Sequence, residues 1–139
     1  MVLTIAAAGS ETSMSCMITL DQNELHIKGA IASPAIRPVF AMMNPENTYT
    51  LPKFQIACGA ADIMMHTIDR YFTRVEGSEL TDATAEDVIC VAARNGIRAL
   101  ESEQNYDAPS ELMWCGSLSR NGLTNLGRPV DFSVHQLGN

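Results

Sequence analysis

A chain of 139 residues, 46% hydrophobic and 18% charged, has the material for one domain with a real core and is not a disordered segment. Its net charge of −7 argues against a nucleic-acid or membrane-surface partner. No apolar run is long enough to span a bilayer, and residues 1–8 lack the positive flank of a signal peptide, so a cytoplasmic location is expected. In chain order, residues 2–6 form a short apolar run that reads as a buried strand. Gly9-Ser10-Glu11-Thr12-Ser13 breaks it with loop chemistry. Residues 14–20 and 24–28 read as a hairpin turning at 21–23, and residues 38–43 as another buried strand closed by Asn44-Pro45. The part before about residue 49 is therefore expected to be β-rich.

After Asn44 the hydrophobic period changes from two to about three and a half. Residues 50–73 read as a helix capped by Thr50, with Pro52 in its first turn, where a missing N–H costs little. It is apolar nearly all round, which predicts burial. Thr81 or Thr84 can cap a second helix with Val88, Ile89, Val91, Ala92, Ile97 and Leu100 inside, and Asn95-Gly96 is a point at which it can kink or split. Asp107 caps a third, with Leu112, Met113, Cys115 and Leu118 inward and an end near Gly122. Residues 131–139 look like the opening turns of a fourth. Cys16, Cys58, Cys90 and Cys115 form no CxxC pair and read as buried reduced thiols. Trp114 and the methionines, among them Met14, Met17, Met42, Met43, Met64, Met65 and Met113, read as core fillers. The β part alone is too small for a covered parallel sheet, so the sequence reads like a piece of something larger.

One carboxylate stands out. Asp62 lies in the apolar helix, where a charge is costly unless it is paired, hydrogen-bonded or bound to a metal. His66 follows four residues later, on the same face. A local Asp–His hydrogen bond satisfies both residues without any function. With a third group the pair becomes a metal site. His135 is the candidate, because His26 falls on the polar side of a strand and is expected to face water. Two imidazoles and a carboxylate suit zinc or ferrous iron. The loop Gly9-Ser10-Glu11-Thr12-Ser13 can offer backbone N–H groups to a phosphate or ribose, or be an ordinary polar turn. There is no GxGxxG, no P-loop and no recognisable nucleophile motif.

The chain as a whole resembles the iron-containing (group III) alcohol dehydrogenases, particularly the butanol dehydrogenase and aldehyde reductase branch. The resemblance runs through Gly9-Ser10-Glu11, Asn44-Pro45, Gly59-Ala60-Ala61-Asp62, His66-Thr67, Tyr71-Phe72-Thr73, Asn105-Tyr106, Leu112-Met113-Trp114, Asn121-Gly122-Leu123 and Asp131-Phe132-Ser133-Val134-His135. It implies that Asp62, His66 and His135 match three of four metal ligands, and that Thr4, Ser13 and Lys28 match positions on the nicotinamide nucleotide. It implies an α+β piece with a dehydroquinate synthase-like plan: residues 1–49 as the last strands of an α/β nucleotide-binding domain, and residues 50–139 as the first helices of an all-helical metal-binding domain. The implied activity is metal-dependent, NAD(P)-linked interconversion of primary alcohols and aldehydes, with Fe²⁺ or Zn²⁺ as Lewis acid. Relative to the family pattern, the GGGS phosphate loop and the fourth ligand fall outside these residues. Asn139 stands where a histidine is frequent, Ala8 where threonine is usual, Ser13 where asparagine is common and Asn47 where an aromatic is common. The expected chain is therefore an incomplete piece, inactive alone and prone to self-associate through exposed apolar surface. A reading from a different class is a non-catalytic α+β module that acts through association.

Overall fold

The computed structural model describes residues 1–22, 25–101, 105–130, 133 and 135. Three α-helices form the body: α1 (Lys53–Tyr71), α2 (Glu79–Glu101) and α3 (Asp107–Arg120). A two-stranded antiparallel ribbon, β1 (Ser15–Gln22) and β2 (Leu25–Ala32), precedes them. Its register pairs Cys16 with Ile31, Ile18 with Gly29 and Leu20 with Ile27, alternating with Met17–Ala30, Thr19–Lys28 and Asp21–His26. Residues directly opposite share a face. One face of the ribbon is thus apolar and the other mixed, and Ile18, Leu20, Ile27 and Ile31 all remain about half exposed.

The three helices pack on one another through small residues. α1 buries Gly59, Ala60, Ile63, His66, Thr67 and Arg70, a stripe at helical spacing. α2 answers with Ala85, Val88, Ala92, Asn95, Gly96 and Ala99. A Cβ on Gly96 would stand 2.8 Å from that of Ala60, so the two backbones approach as closely as glycine permits. Ile63 is fully buried and anchors the core with Val88, Leu112 and Cys115. Buried hydroxyls are satisfied locally: Thr67 donates to the Ile63 carbonyl at 3.2 Å and Ser119 to that of Gly116 at 2.8 Å.

Residues 6–9 cross the helical layer. At Gly59 an added Cβ would meet the Ala6 carbonyl at 2.2 Å, and at Gly9, where φ is +59°, it would meet the Gly116 carbonyl at 2.5 Å. The loop therefore rests on the backbones of α1 and α3 at two glycines. On the far side, Arg128 ties the C-terminal segment to the α1–α2 linker. Its guanidinium donates to Asp82, to Thr73 Oγ1 at 2.8 Å and to the Tyr71 carbonyl at 3.3 Å.

Several expectations are corrected. Of the two buried strands expected at 2–6 and 38–43, the structure keeps one parallel bridge, Val2 to Met42. Val39 and Phe40 are exposed, since a single bridge among the described residues builds no sheet over them. The hairpin stands, but each strand runs eight residues, with Asp21 and Gln22 inside β1; Asn23 and Glu24 lie outside the described residues. α1 begins after Pro52 with no side-chain cap, so Thr50 does not cap it. It buries one face only, with Phe54 exposed. α2 starts at Glu79, ahead of both candidate caps: Thr81 donates to the Leu126 carbonyl and Thr84 to that of Leu80. It runs unbroken through Asn95-Gly96, where the Asn95 side-chain amide donates to the Val91 carbonyl, and Ile97 faces out. Trp114, Met14, Met17 and Met42 are exposed rather than core, and of the cysteines only Cys115 is buried. Of the expected last helix, only Ser133 and His135 lie within the described residues.

Candidate metal centre

α1 projects Asp62 and His66 from one face, as their spacing requires. His135 arrives from 73 residues further along the chain and places Nε2 3.2 Å from Asp62 Oδ1. His66 Nε2 lies 3.7 Å from Asp62 Oδ2. The two imidazole rings stack, with centroids 4.1 Å apart and planes 14° from parallel. One ligand atom from each of the three residues falls within 4.8 Å of the others. Ligands about 2.1 Å from a single tetrahedral ion stand about 3.4 Å apart. The donor set and its spacing therefore fit a divalent ion. His66 is buried, whereas Asp62 and His135 are partly open.

Burial lowers the His66 pKa to about 3, helped by the positive fields of His135, Arg120 and Arg70. Its imidazole is neutral at physiological pH, the form that ligates. Arg70 lies one turn beyond His66 on the same stripe and donates to the Ser119 carbonyl in the last turn of α3. Arg120 follows Ser119 and donates through Nη2 to Ser15 Oγ at 2.9 Å. Burial lowers the pKa of both guanidinium groups, and Asp62 acts on Arg120 in the opposite direction.

The residues expected on the nucleotide side are more dispersed. Ser13 is buried, its hydroxyl 2.8 Å from that of Ser15, and so lies one contact from Arg120. Thr4 is exposed just after the Val2–Met42 bridge. Lys28 is exposed midway along β2, opposite Thr19. His26 faces water as expected, paired with Asp21. In the loop, Thr12 donates to the Gly9 carbonyl at 3.1 Å, and Ser117 on α3 donates to the buried Glu11 carboxylate. Sequence reasoning missed Glu11, Arg70, Ser117 and Arg120. Arg70 was readable, since 62, 66 and 70 share one face, but Arg120 reads as an ordinary cation at a helix C-terminus. The cavity at the start of α1, about 290 Å³ and lined by Thr48, Tyr49, Lys53, Ile56 and Pro109 among others, contains none of the three candidate ligands.

No family model matches the chain. The curated relatives it matches include NADH- and NADPH-dependent oxidoreductases. The NADPH-dependent aldehyde reductase YqhD of Escherichia coli is 36% identical over 137 residues, 99% of this chain and 35% of the relative. The NADH-dependent butanol dehydrogenase B of Clostridium acetobutylicum is 40% identical over 135 residues, 96% of this chain and 34% of the relative. The crystal structure of YqhD superposes with a TM-score of 0.89 at 35% identity, covering 99% of this chain and 35% of that one. An iron-containing alcohol dehydrogenase of Thermococcus thioreducens shares the fold, with a TM-score of 0.70 at 23% identity over 89% of this chain and 31% of its own. Along nearly its whole length the chain is similar to the butanol dehydrogenases and the aldehyde reductase, and it shares its fold with iron-containing alcohol dehydrogenases. It spans about a third of the length of the curated relatives it matches.

Proposed function

We propose that these residues are part of a metal-dependent, NAD(P)-linked oxidoreductase that interconverts primary alcohols and aldehydes. The observation that carries this reading is the convergence of His135 on Asp62 and His66 across 73 residues of sequence. Asp62, His66 and His135 hold Fe²⁺ or Zn²⁺, which supplies Lewis-acid polarisation of the substrate oxygen when bound. Among the described residues Asp62 contributes the one anionic donor and bridges the two imidazoles, while the apolar packing around His66 keeps its ring neutral and fixed. Thr4, Ser13 and Lys28 orient the nicotinamide nucleotide on the side of the loop and ribbon. Residues 1–49 are the end of the nucleotide-binding part and residues 50–139 the start of the helical metal-binding part, and the setting is cytoplasmic. The apolar face of the ribbon supports association with a second copy, which is also what the rival reading, a non-catalytic association module, requires.

Three protein ligands among the described residues and a third of the relatives' length give modest metal affinity and little turnover by these 139 residues alone. The test is a Co²⁺ titration of the purified chain, followed by its visible absorption bands, beside the variant Asp62→Asn. A loss of at least about 10-fold in affinity is expected in the variant, as is typical when a metal site loses even an outer partner. Equal binding by both proteins removes the metal centre and favours the association module. NADH or NADPH oxidation with a short aldehyde, run in parallel, is expected to stay near the variant's background.

A further inference from the structure

His135 reaches Asp62 and His66 from a segment that hydrophobic burial holds only weakly. After the buried Thr124, Leu126 is 58% exposed and Val130 42% exposed. Side chains left this open contribute little to fixing a register. Arg128 fastens the segment instead, and its side chain is only 5% exposed. Its guanidinium donates to Asp82 in the first turn of α2, to Thr73 Oγ1 at 2.8 Å and to the carbonyl of Tyr71, the last residue of α1, at 3.3 Å. The last carbonyls of a helix have no partner within it, so a cation there is both bonded and favoured by the helix dipole. A planar fork spread over several acceptors also fixes orientation, which a point charge does not. The backbone supports the head. The Arg128 N–H donates to the Asn125 carbonyl at 3.0 Å, and Thr81 donates to the Leu126 carbonyl at 3.3 Å. Gly127, with φ at +74°, sits where a Cβ would stand 2.9 Å from Ser78 Oγ.

α1 is thus the common partner of both ends of this segment. Arg128 meets it at Tyr71, and His135 meets it at Asp62 and His66, so the segment runs antiparallel to the helix. From Tyr71 back to the level midway between Asp62 and His66 is seven residues, about 10 Å of helix. From Arg128 on to His135 is also seven residues, and Ser133 and His135 are themselves helical. Equal counts on antiparallel partners define one register. A slip at Arg128 is then a slip at His135.

We propose that Arg128 is a positioning residue for the third ligand: it sets the register that brings His135 against Asp62 and His66. It touches neither the ion nor the substrate and acts through His135. Without the tie, metal binding has to order the segment itself. Fixing one or two residues of backbone is equivalent to about 10-fold or more in affinity. This inference rests on the metal reading above in so far as His135 is a ligand, and the experiment separates the two.

The chain has three histidines, and His26, paired with Asp21 on the ribbon, serves as the reference signal in proton NMR. In the metal-free full chain a nuclear Overhauser contact is expected between the rings of His66 and His135, whose centroids lie 4.1 Å apart. Co²⁺ affinity is then read from the cobalt bands. Both measurements are repeated on Arg128→Leu, Arg128→Lys and Val88→Ala, the last of which opens a cavity in the core and leaves the Arg128 contacts in place. Arg128→Leu should lose the ring contact and about 10-fold in Co²⁺ affinity. Arg128→Lys should keep part of both. Val88→Ala should lower the urea midpoint and change neither. In a wild type that binds Co²⁺, either signal surviving unchanged in Arg128→Leu overturns the proposal. Equal losses in Val88→Ala overturn it too, because they make the effect one of general stability. If Arg128→Leu does not fold, wild-type ring contact and affinity in Arg128→Lys overturn it. A wild type that shows the ring contact and binds no Co²⁺ overturns the metal reading, and the ring contact in Arg128→Leu then decides the register alone. A wild type without the ring contact overturns the register itself.

Discussion

His66 makes the folded state sensitive to acid, and the size of the effect follows from its surroundings. The ring is buried between α1 and the His135 ring, and its pKa falls from 6.5 to about 3. In the unfolded chain the imidazole takes up a proton near pH 6.5; in the folded chain it does not until about pH 3. Between those values the unfolded state binds more protons, so stability rises with pH there. The neutral ring's contribution is fully present above pH 6.5 and is lost as pH falls. The limiting slope is about 1.4 kcal/mol per pH unit. Between pH 6.5 and 5 the integrated loss is about 2 kcal/mol, against a total stability of order 5–15 kcal/mol for a small domain. Urea unfolding at pH 7 and pH 5, in the presence of a chelator, measures it. His66→Gln removes the titrating group with little change of volume, so its urea midpoint should fall much less than that of the wild type between the two pH values. Parallel pH dependence in the two proteins would refute the assignment of the effect to His66.

Two further outcomes are expected. Gly59→Ala places a methyl 2.2 Å from the Ala6 carbonyl, closer than any real contact, and should destabilise the chain by about 1–3 kcal/mol despite alanine's better helix propensity, read as a lower urea midpoint. Burial raises the Cys115 thiol to about 11, whereas Cys58 and Cys90 lie exposed on helix surfaces. Timed alkylation with mass spectrometry should therefore label Cys58 and Cys90 first and reach Cys115 only on unfolding.

The three helices and the hairpin were legible because their periods are clean. Val88, Leu112, Met113 and Cys115 fell inside as their spacing demanded. The two short apolar runs at 2–6 and 38–43 misled, since such a run says nothing about whether neighbours exist to pair with it. Their backbones meet at a single bridge. Trp114 and Phe54 were misplaced for a related reason: apolar residues all round a helix predict burial only when something packs on every side, and here α1 and α3 each bury one face. At the site, the Asp62–His66 pairing was readable from a spacing of four. That His135 would complete it was a matter of elimination and resemblance, because nothing local encodes a contact over 73 residues. The place of Arg120 was invisible for the same reason: it meets Ser15 and Gly9, which are distant in sequence.

The loop at residues 6–9 touches α1 and α3 at glycines, with no side chain between the backbones. Elsewhere in a protein a small displacement is absorbed when rotamers readjust. Where Ala6 meets Gly59 there are no rotamers at the point of contact, whereas at Gly9 the Arg120 stem also takes part. Gly59 stands one turn ahead of Asp62, and Gly116 one turn ahead of Arg120. A shift of the loop at Ala6 therefore bears directly on the turn of α1 that carries the carboxylate. Whatever rests on the loop thus bears on the position of Asp62, as a shim sets the height of a rigid plate.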